Sequence, residues 1–166
     1  MDIDAFVRLI DDSGLPAPGS QVVTAFEAAT GLTLPDDYRA FLAKTPGGRL
    51  SKTVTFSLSG EEDGAEYLGR VAGLRTENSY SLEERVRSAA ENAIPEGLLS
   101  IMTDRGGNAL ALAVRPDRFG QIFFLDHEVS DEGRPTIEEA ESADWGYAIR
   151  FAATFSEMIA GFKAQD

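Results

Sequence analysis

"LLSIMTDRGGNALALAVRPDRFGQIFFLDHE" occupies residues 98–128 and carries three apolar stretches: LLSIMT (98–103), ALALAV (109–114) and QIFFLD (121–126). The links DRGGN (104–108) and RPDRFG (115–120) are five and six residues long. Parallel neighbours need a crossover of about a dozen residues or more, so this spacing predicts an antiparallel meander. Gly106 and Gly107 suit a turn that requires positive φ, and Pro116 and Gly120 bracket the second turn. In the middle stretch Leu110, Leu112 and Val114 share one face, and Ala109, Ala111 and Ala113 share the other. Both faces are apolar, so both are expected to be covered, the alanine side by a closely approaching helix. Ile122, Phe123, Phe124 and Leu125 likewise leave no face for water.

Helical periods flank this meander. Ile3, Phe6, Val7 and Ile10 recur at i, i+3, i+4, i+7 and predict a short helix over 2–12. "GLPAPG" (14–19) breaks it, and a second helix runs over 21–30 with Gly31 as a left-handed cap. Pro35 suits the first position of a third helix, with Asp36 and Asp37 in its first turn and Tyr38, Phe41 and Leu42 as its buried stripe. TVTFSL (53–58) alternates as a strand, and EYLGRVAGL (66–74) reads as another, weakened by two glycines. Ser81-x-x-Glu84 opens a helix over 81–93 as a capping box. WGYAIRF (145–151) adds a strand. Thr154-x-x-Glu157 opens a last helix whose Phe155, Met158, Ile159 and Phe162 keep the helical period. The expectation is an α+β fold: a central antiparallel sheet of five to six strands, with N-terminal helices and a C-terminal helix packed on it, as a single domain over 1–166.

A domain of this length buries about 70% of the surface its unfolded chain exposes, enough for a core without staples. There is no cysteine, which excludes disulfides, thiolate zinc sites and cysteine nucleophiles. The opening residues lack the basic and apolar regions of a signal peptide, and no apolar stretch nears the roughly 18 residues of a span. A cytoplasmic location with no membrane contact is expected. Acids outnumber bases 28 to 15, for a net charge of −13. Such a field repels nucleic acid and attracts a basic partner. The charge is clustered: Asp126, Glu128, Asp131, Glu132, Glu138, Glu139, Glu141 and Asp144 face only Arg134 within 126–144. A second cluster, "GEEDGAE" (60–66), holds Glu61, Glu62, Asp63 and Glu66.

Asp126-His127-Glu128 contains the only histidine and is the natural place to look for chemistry. A metal site would need further ligands, there is no second histidine, and the spacing of a calcium loop does not fit. A Ser-His-Asp triad lacks its G-x-S-x-G elbow. No phosphate-binding loop is present, and "RGGNAL" lacks the third glycine and following helix of a dinucleotide fingerprint. The reading is therefore no enzyme, no cofactor and no metal, with His127 as a hydrogen-bonding residue where a central strand leaves the sheet.

Four blocks in order, "FEAATGLTLPDDYRAFLAKTPGG" (26–48), "IPEGLLSIMTDRGGNALAL" (94–112), "GQIFFLDHE" (120–128) and "TFSEMIAGF" (154–162), resemble the SUKH superfamily, the Smi/Knr-like group of cell-wall regulators and bacterial immunity proteins. The matched positions are Leu34, Pro35, Tyr38, Phe41, Leu42, Gly47, Gly48, Asp104, Gly107, Asn108, Gly120, Phe124, Asp126, His127 and Glu128. Leu125 departs from the pattern, where an aromatic residue is frequent. The resemblance implies the same α+β fold, mostly scaffold roles for these positions, and no catalysis. It implies an immunity protein that binds and neutralises a toxin, often a nuclease, or alternatively a regulatory module acting on an endogenous partner. Together with the charge, it directs attention to Glu61, Glu62, Asp63 and the acids of 126–144 as a surface for a basic toxin domain.

Overall fold

The computed structural model describes residues 1–11, 14–58, 65–74, 81–128, 135–142 and 147–165. Glu61, Glu62, Asp63, Asp131, Glu132 and Asp144 lie outside them.

The meander forms as its short links require. Strands β5 (Leu98–Asp104), β6 (Ala109–Ala113) and β7 (Ile122–Leu125) pair antiparallel in sequence order. Every residue of β6 and β7 is buried, as expected of central strands with two covered faces. The second link closes through one turn of 3₁₀ helix, Pro116–Arg118.

The sheet extends further than the alternating stretches predict. Its order is β1 (Ile10–Asp11), β2 (Gly48–Leu50), β4 (Ala65–Val71), β5, β6, β7, β8 (Ala148–Ala152), and every pairing of these strands is antiparallel. Beside this row, β3 (Thr53–Ser57) pairs β4 and also β9 (Lys163–Gln165). Among the described residues the sheet thus has nine strands rather than five or six. β1, β2 and β9 are two or three residues long, too short to carry a period.

Helices α1 (Ile3–Val7), α2 (Ser20–Thr30), α3 (Asp36–Leu42) and α6 (Phe155–Gly161) cover one face of the sheet. α1 is shorter than its period suggests, because Ile10 joins β1 opposite Leu50 while still burying its side chain. Gly31 closes α2 with a φ of 71°. Pro35 stands one place before α3 as its N-cap residue, with an extended ψ of 147°, instead of at the first helical position. Asp37 does more than favour the local dipole. Its Oδ2 accepts the Ser156 N–H and hydroxyl at 2.8 and 2.9 Å, tying α3 to the first turn of α6.

This face is built of rings. Phe41 lies 4.9 Å from Phe155 and 5.9 Å from Phe6, and Phe6 lies 5.4 Å from Phe162. Phe56 carries the contact on from Phe162 to Phe124 of β7 at 5.8 and 6.2 Å. Edge-on and tilted pairs at such distances are favoured by the ring quadrupole.

The opposite face sets the alanines Ala109, Ala111, Ala113 and Ala148, with Phe123 and Tyr147 among them, against Ala89, Ile94, Ile137 and Ala140. α5 (Ile137–Ala140) adds Ile137 and Ala140 to this cluster, whereas α4 (Leu82–Arg87) packs on β5 with its Leu82 in the aromatic core. The Ser81 hydroxyl caps the Glu84 N–H, but the Glu84 carboxylate turns to Arg87 at 2.9 Å, so the box is half made; the helix itself ends at Arg87 rather than at 93.

Candidate functional site

The two turns singled out by the sequence, DRGGN and DHE, meet in space. Asp104, the last residue of β5, is 5% exposed. Its Oδ1 accepts the N–H groups of Gly107 and Asn108, both at 2.7 Å, and its Oδ2 accepts Asn108 Nδ2 at 2.7 Å. A carboxylate can only accept, so the amide NH₂ of Asn108 faces Asp104 and its oxygen faces away. That oxygen receives the His127 main-chain N–H at 3.1 Å and meets His127 Nδ1 at 2.8 Å. An amide oxygen has no proton to give, so Nδ1 carries one. Gly107 sits beneath the ring at a φ of 104°, where an added Cβ would lie 3.3 Å from His127 Cε1. His127 is thus the end of an Asp104–Asn108–His127 chain that locks the first turn of the meander to the exit of β7.

Asp126 and Glu128 do not alternate on a strand, because β7 ends at Leu125. They belong to a turn in which Asp126 Oδ1 accepts the Glu128 N–H at 3.0 Å. Glu128 is exposed and Asp126 half-buried. Partial burial, then the charges of Asp104 and Asp126, push the Glu66 carboxyl above its ordinary range. Negative charge therefore converges at this end of the sheet.

The acids of α5 are differently placed. Glu138 meets Arg115 at 3.4 Å and Glu141 meets Arg118 at 2.8 Å, across the link between β6 and β7. Glu139 completes a capping box with Thr136, and the Thr136 N–H and hydroxyl hold its carboxyl below the usual range. Three acids of the predicted surface thus also hold the α5 segment in place.

Beside His127 opens a cavity of about 220 Å³, lined among others by Arg85, Ser88, Ser100, Asp126 and Tyr147. Arg85 Nη1 reaches Ser100 Oγ at 3.5 Å. Burial, then the charge of Arg70, lowers the Arg85 guanidinium from its ordinary value. The buried Tyr147 hydroxyl has no hydrogen-bond partner among the described residues, and burial together with Glu139 raises its pKa. Arg85, Ser100 and Tyr147 were not singled out by sequence reasoning. Arg85 lies one helical turn after the Ser81 cap, on the same side of α4, and that spacing was the available signal. Among the described residues, no three His, Asp or Glu side chains are grouped to hold a metal.

The remaining family positions build the frame. Leu34, Tyr38, Phe41, Leu42 and Phe124 are buried in the aromatic core. Gly47 and Gly48 run against the backbone of 71–73 and of Asp11, and Gly120 turns beside Pro35.

A helical layer packed on an antiparallel sheet, with two of its turns tied together by a buried carboxylate, frames the site. The SMI1 / KNR4 family (SUKH-1) matches residues 19–161, and the chain belongs to that family. No curated protein and no solved structure matches the chain. Membership places it among immunity and cell-wall-regulator types of module. No helix among the described residues is long and apolar enough to cross a membrane.

Proposed function

We propose that the chain is an immunity protein that neutralises a toxin domain with a basic surface by covering it stoichiometrically, and that it breaks no bond itself. The observation that carries this reading is the convergence of Asp126, Glu128 and Glu66 on one end of the sheet in a chain of net charge −13. Glu138, Glu139 and Glu141 form a second acidic set on α5, beside the link at the other end of β6 and β7, and Asp131, Glu132, Asp144, Glu61, Glu62 and Asp63 are proposed to take part as well. Phe119, 43% exposed and next to the Arg118 that pairs with Glu141, offers an apolar anchor beside the acids of α5. Charge steers the encounter and fixes orientation, while a few buried anchors set the lifetime of the complex.

The test is co-purification of the chain with the product of its neighbouring gene at low and high salt. Capture of a basic toxin domain whose activity the chain abolishes at one-to-one stoichiometry supports the reading. Association should slow as salt rises, since the screening length is about 10 Å at 0.1 M. A partner with an acidic surface, or an association rate indifferent to salt, would overturn it. Capture of an endogenous regulatory partner would replace it with the cell-wall-regulator reading.

A further inference from the structure

Several basic side chains of this acidic molecule gather where the sheet turns a corner. Arg49 of β2, Arg70 of β4 and Arg105 just beyond β5 line one groove of about 420 Å³. The corner arises because β4 changes partner along its length: residues 65–67 pair with β3, and residues 70–71 pair with β2. A bulge falls between Leu68 and Arg70 against β5. At its centre Gly69 runs so close to β5 that a Cβ would lie 2.5 Å from the Asp104 carbonyl oxygen. The floor of the groove is therefore main chain.

Arg49 lies directly opposite Arg70 in register, and like charges so placed repel. Arg39, Lys44, Arg87, Arg115 and Arg118 each pair with a carboxylate, whereas Arg49 and Arg105 pair with none among the described residues. Asp104 also lines the groove, but both its oxygens are already engaged by Gly107 and Asn108. Arg105 is held in place. Its N–H donates to the Tyr67 carbonyl at 2.8 Å, its Nη2 to Thr53 Oγ1 at 3.4 Å, and its guanidinium lies 5.5 Å from the centre of the Tyr67 ring. Only one of the five side-chain donors of Arg105 is engaged in that arrangement.

We propose that this groove is a binding site for the carboxylates of a short acidic segment of a protein partner, with Arg49 and Arg105 as its clamps on either side of β4. The planar fork of arginine matches a carboxylate with two parallel hydrogen bonds. Neighbouring strands stand about 5 Å apart, so Arg49 on β2 and Arg105 beyond β5, with β4 between, stand at a spacing that two side chains of one extended segment can match. A long polyanion such as nucleic acid is disfavoured by the field of the whole molecule, while a short acidic segment brings few charges into it. The site does not depend on the toxin reading. Where both hold, the interface has mixed charge, and the basic groove fixes which way the partner sits on the acidic end.

The experiment is titration of the ¹⁵N-labelled full chain with a pentaaspartate peptide, beside inorganic phosphate and pentalysine at equal ionic strength. Pentaaspartate should give saturable amide shifts confined to 48–50, 67–70 and 103–105. Arg49→Gln/Arg105→Gln should weaken the response roughly tenfold or more, as loss of charged hydrogen bonds implies, while Arg150→Gln leaves it unchanged. Should the double variant fail to fold, each single substitution carries the same comparison. The proposal fails if the shifts do not saturate, if the clamp variants bind as the wild type does, or if phosphate moves the same amides at lower concentration than the peptide. Pentalysine should instead move amides of 126–128 and 137–141, so failure of the acidic-surface reading is scored separately.

Discussion

The two faces of the sheet use the same strands for different ends. On one, large rings from α1, α3 and α6 interlock with Phe56 and Phe124, and the helices are further stitched by Asp37 and Ser156. On the other, alanines of β6 and β8 leave room for only two rings, Phe123 and Tyr147, beside a polar cavity and the cross-strand row Arg49, Arg70, Thr103. The first face is where burial stabilises the fold; the second is where charge and cavity remain. Alternation along a strand makes this division available at no cost in chain length, because odd and even residues serve different layers.

Substitutions can break that contrast, and the aromatic face should respond most. Phe41→Ala removes a fully buried ring from contact with three others and should cost about 3–5 kcal/mol in urea unfolding. A loss near that of an exposed site would mean that the face is not the principal core.

Next comes the link between the turns. Asp104→Ala strands the N–H groups of Gly107 and Asn108 and the Asn108 amide, and should cost about 3 kcal/mol. Asn108→Ala should also release the tautomer of His127, visible as a shift of its ring ¹⁵N resonances away from an Nδ1-protonated pattern. An unchanged ring signal in that variant would show that another group sets the proton.

On the small-residue face, Ala111→Leu overfills a site with no exposed surface and should cost about 1–3 kcal/mol by the same measurement. A neutral result would mean that the cavity beside His127 absorbs the added volume.

The smallest effect concerns pH. Glu66 has its carboxyl raised by partial burial and by Asp104 and Asp126, so the folded state holds that proton more tightly than the unfolded chain. Its ionised form therefore opposes folding at neutral pH. The penalty fades as pH falls through the raised folded value toward the ordinary carboxyl range. Glu66→Gln should slightly raise the melting temperature at pH 7 and leave it unchanged below about pH 4. A variant less stable at pH 7 would contradict the repulsion.

Much of the fold was legible because local rules and the tertiary solution agree. The meander was fixed by two short links, and β6 by apolar residues on both sides. α5 was missed, although Thr136-x-x-Glu139 announces it with the capping box that the structure completes; the surrounding acids drew attention to charge instead. β9 was not legible at all. Its three residues are exposed, and they form a strand only because β3 offers an edge more than a hundred residues away in sequence.

The site divides in the same way. His127 as a structural hydrogen-bonding residue followed from the lack of any second ligand in the sequence, but its partner Asn108 lies 19 residues away and no local pattern connects them. That Arg49 would face Arg70 was equally hidden, since a shift of one residue in register would separate them onto different faces. Periodicity, turn residues and net charge are properties of neighbours along the chain, and these the sequence determined by itself: an α+β domain with an antiparallel meander and a strongly negative net charge. Register, the meeting of two turns and the gathering of arginines at a corner depend on which distant segments share a surface. Only the packed structure decided those, because the burial that selects one pairing over another is a property of the whole core.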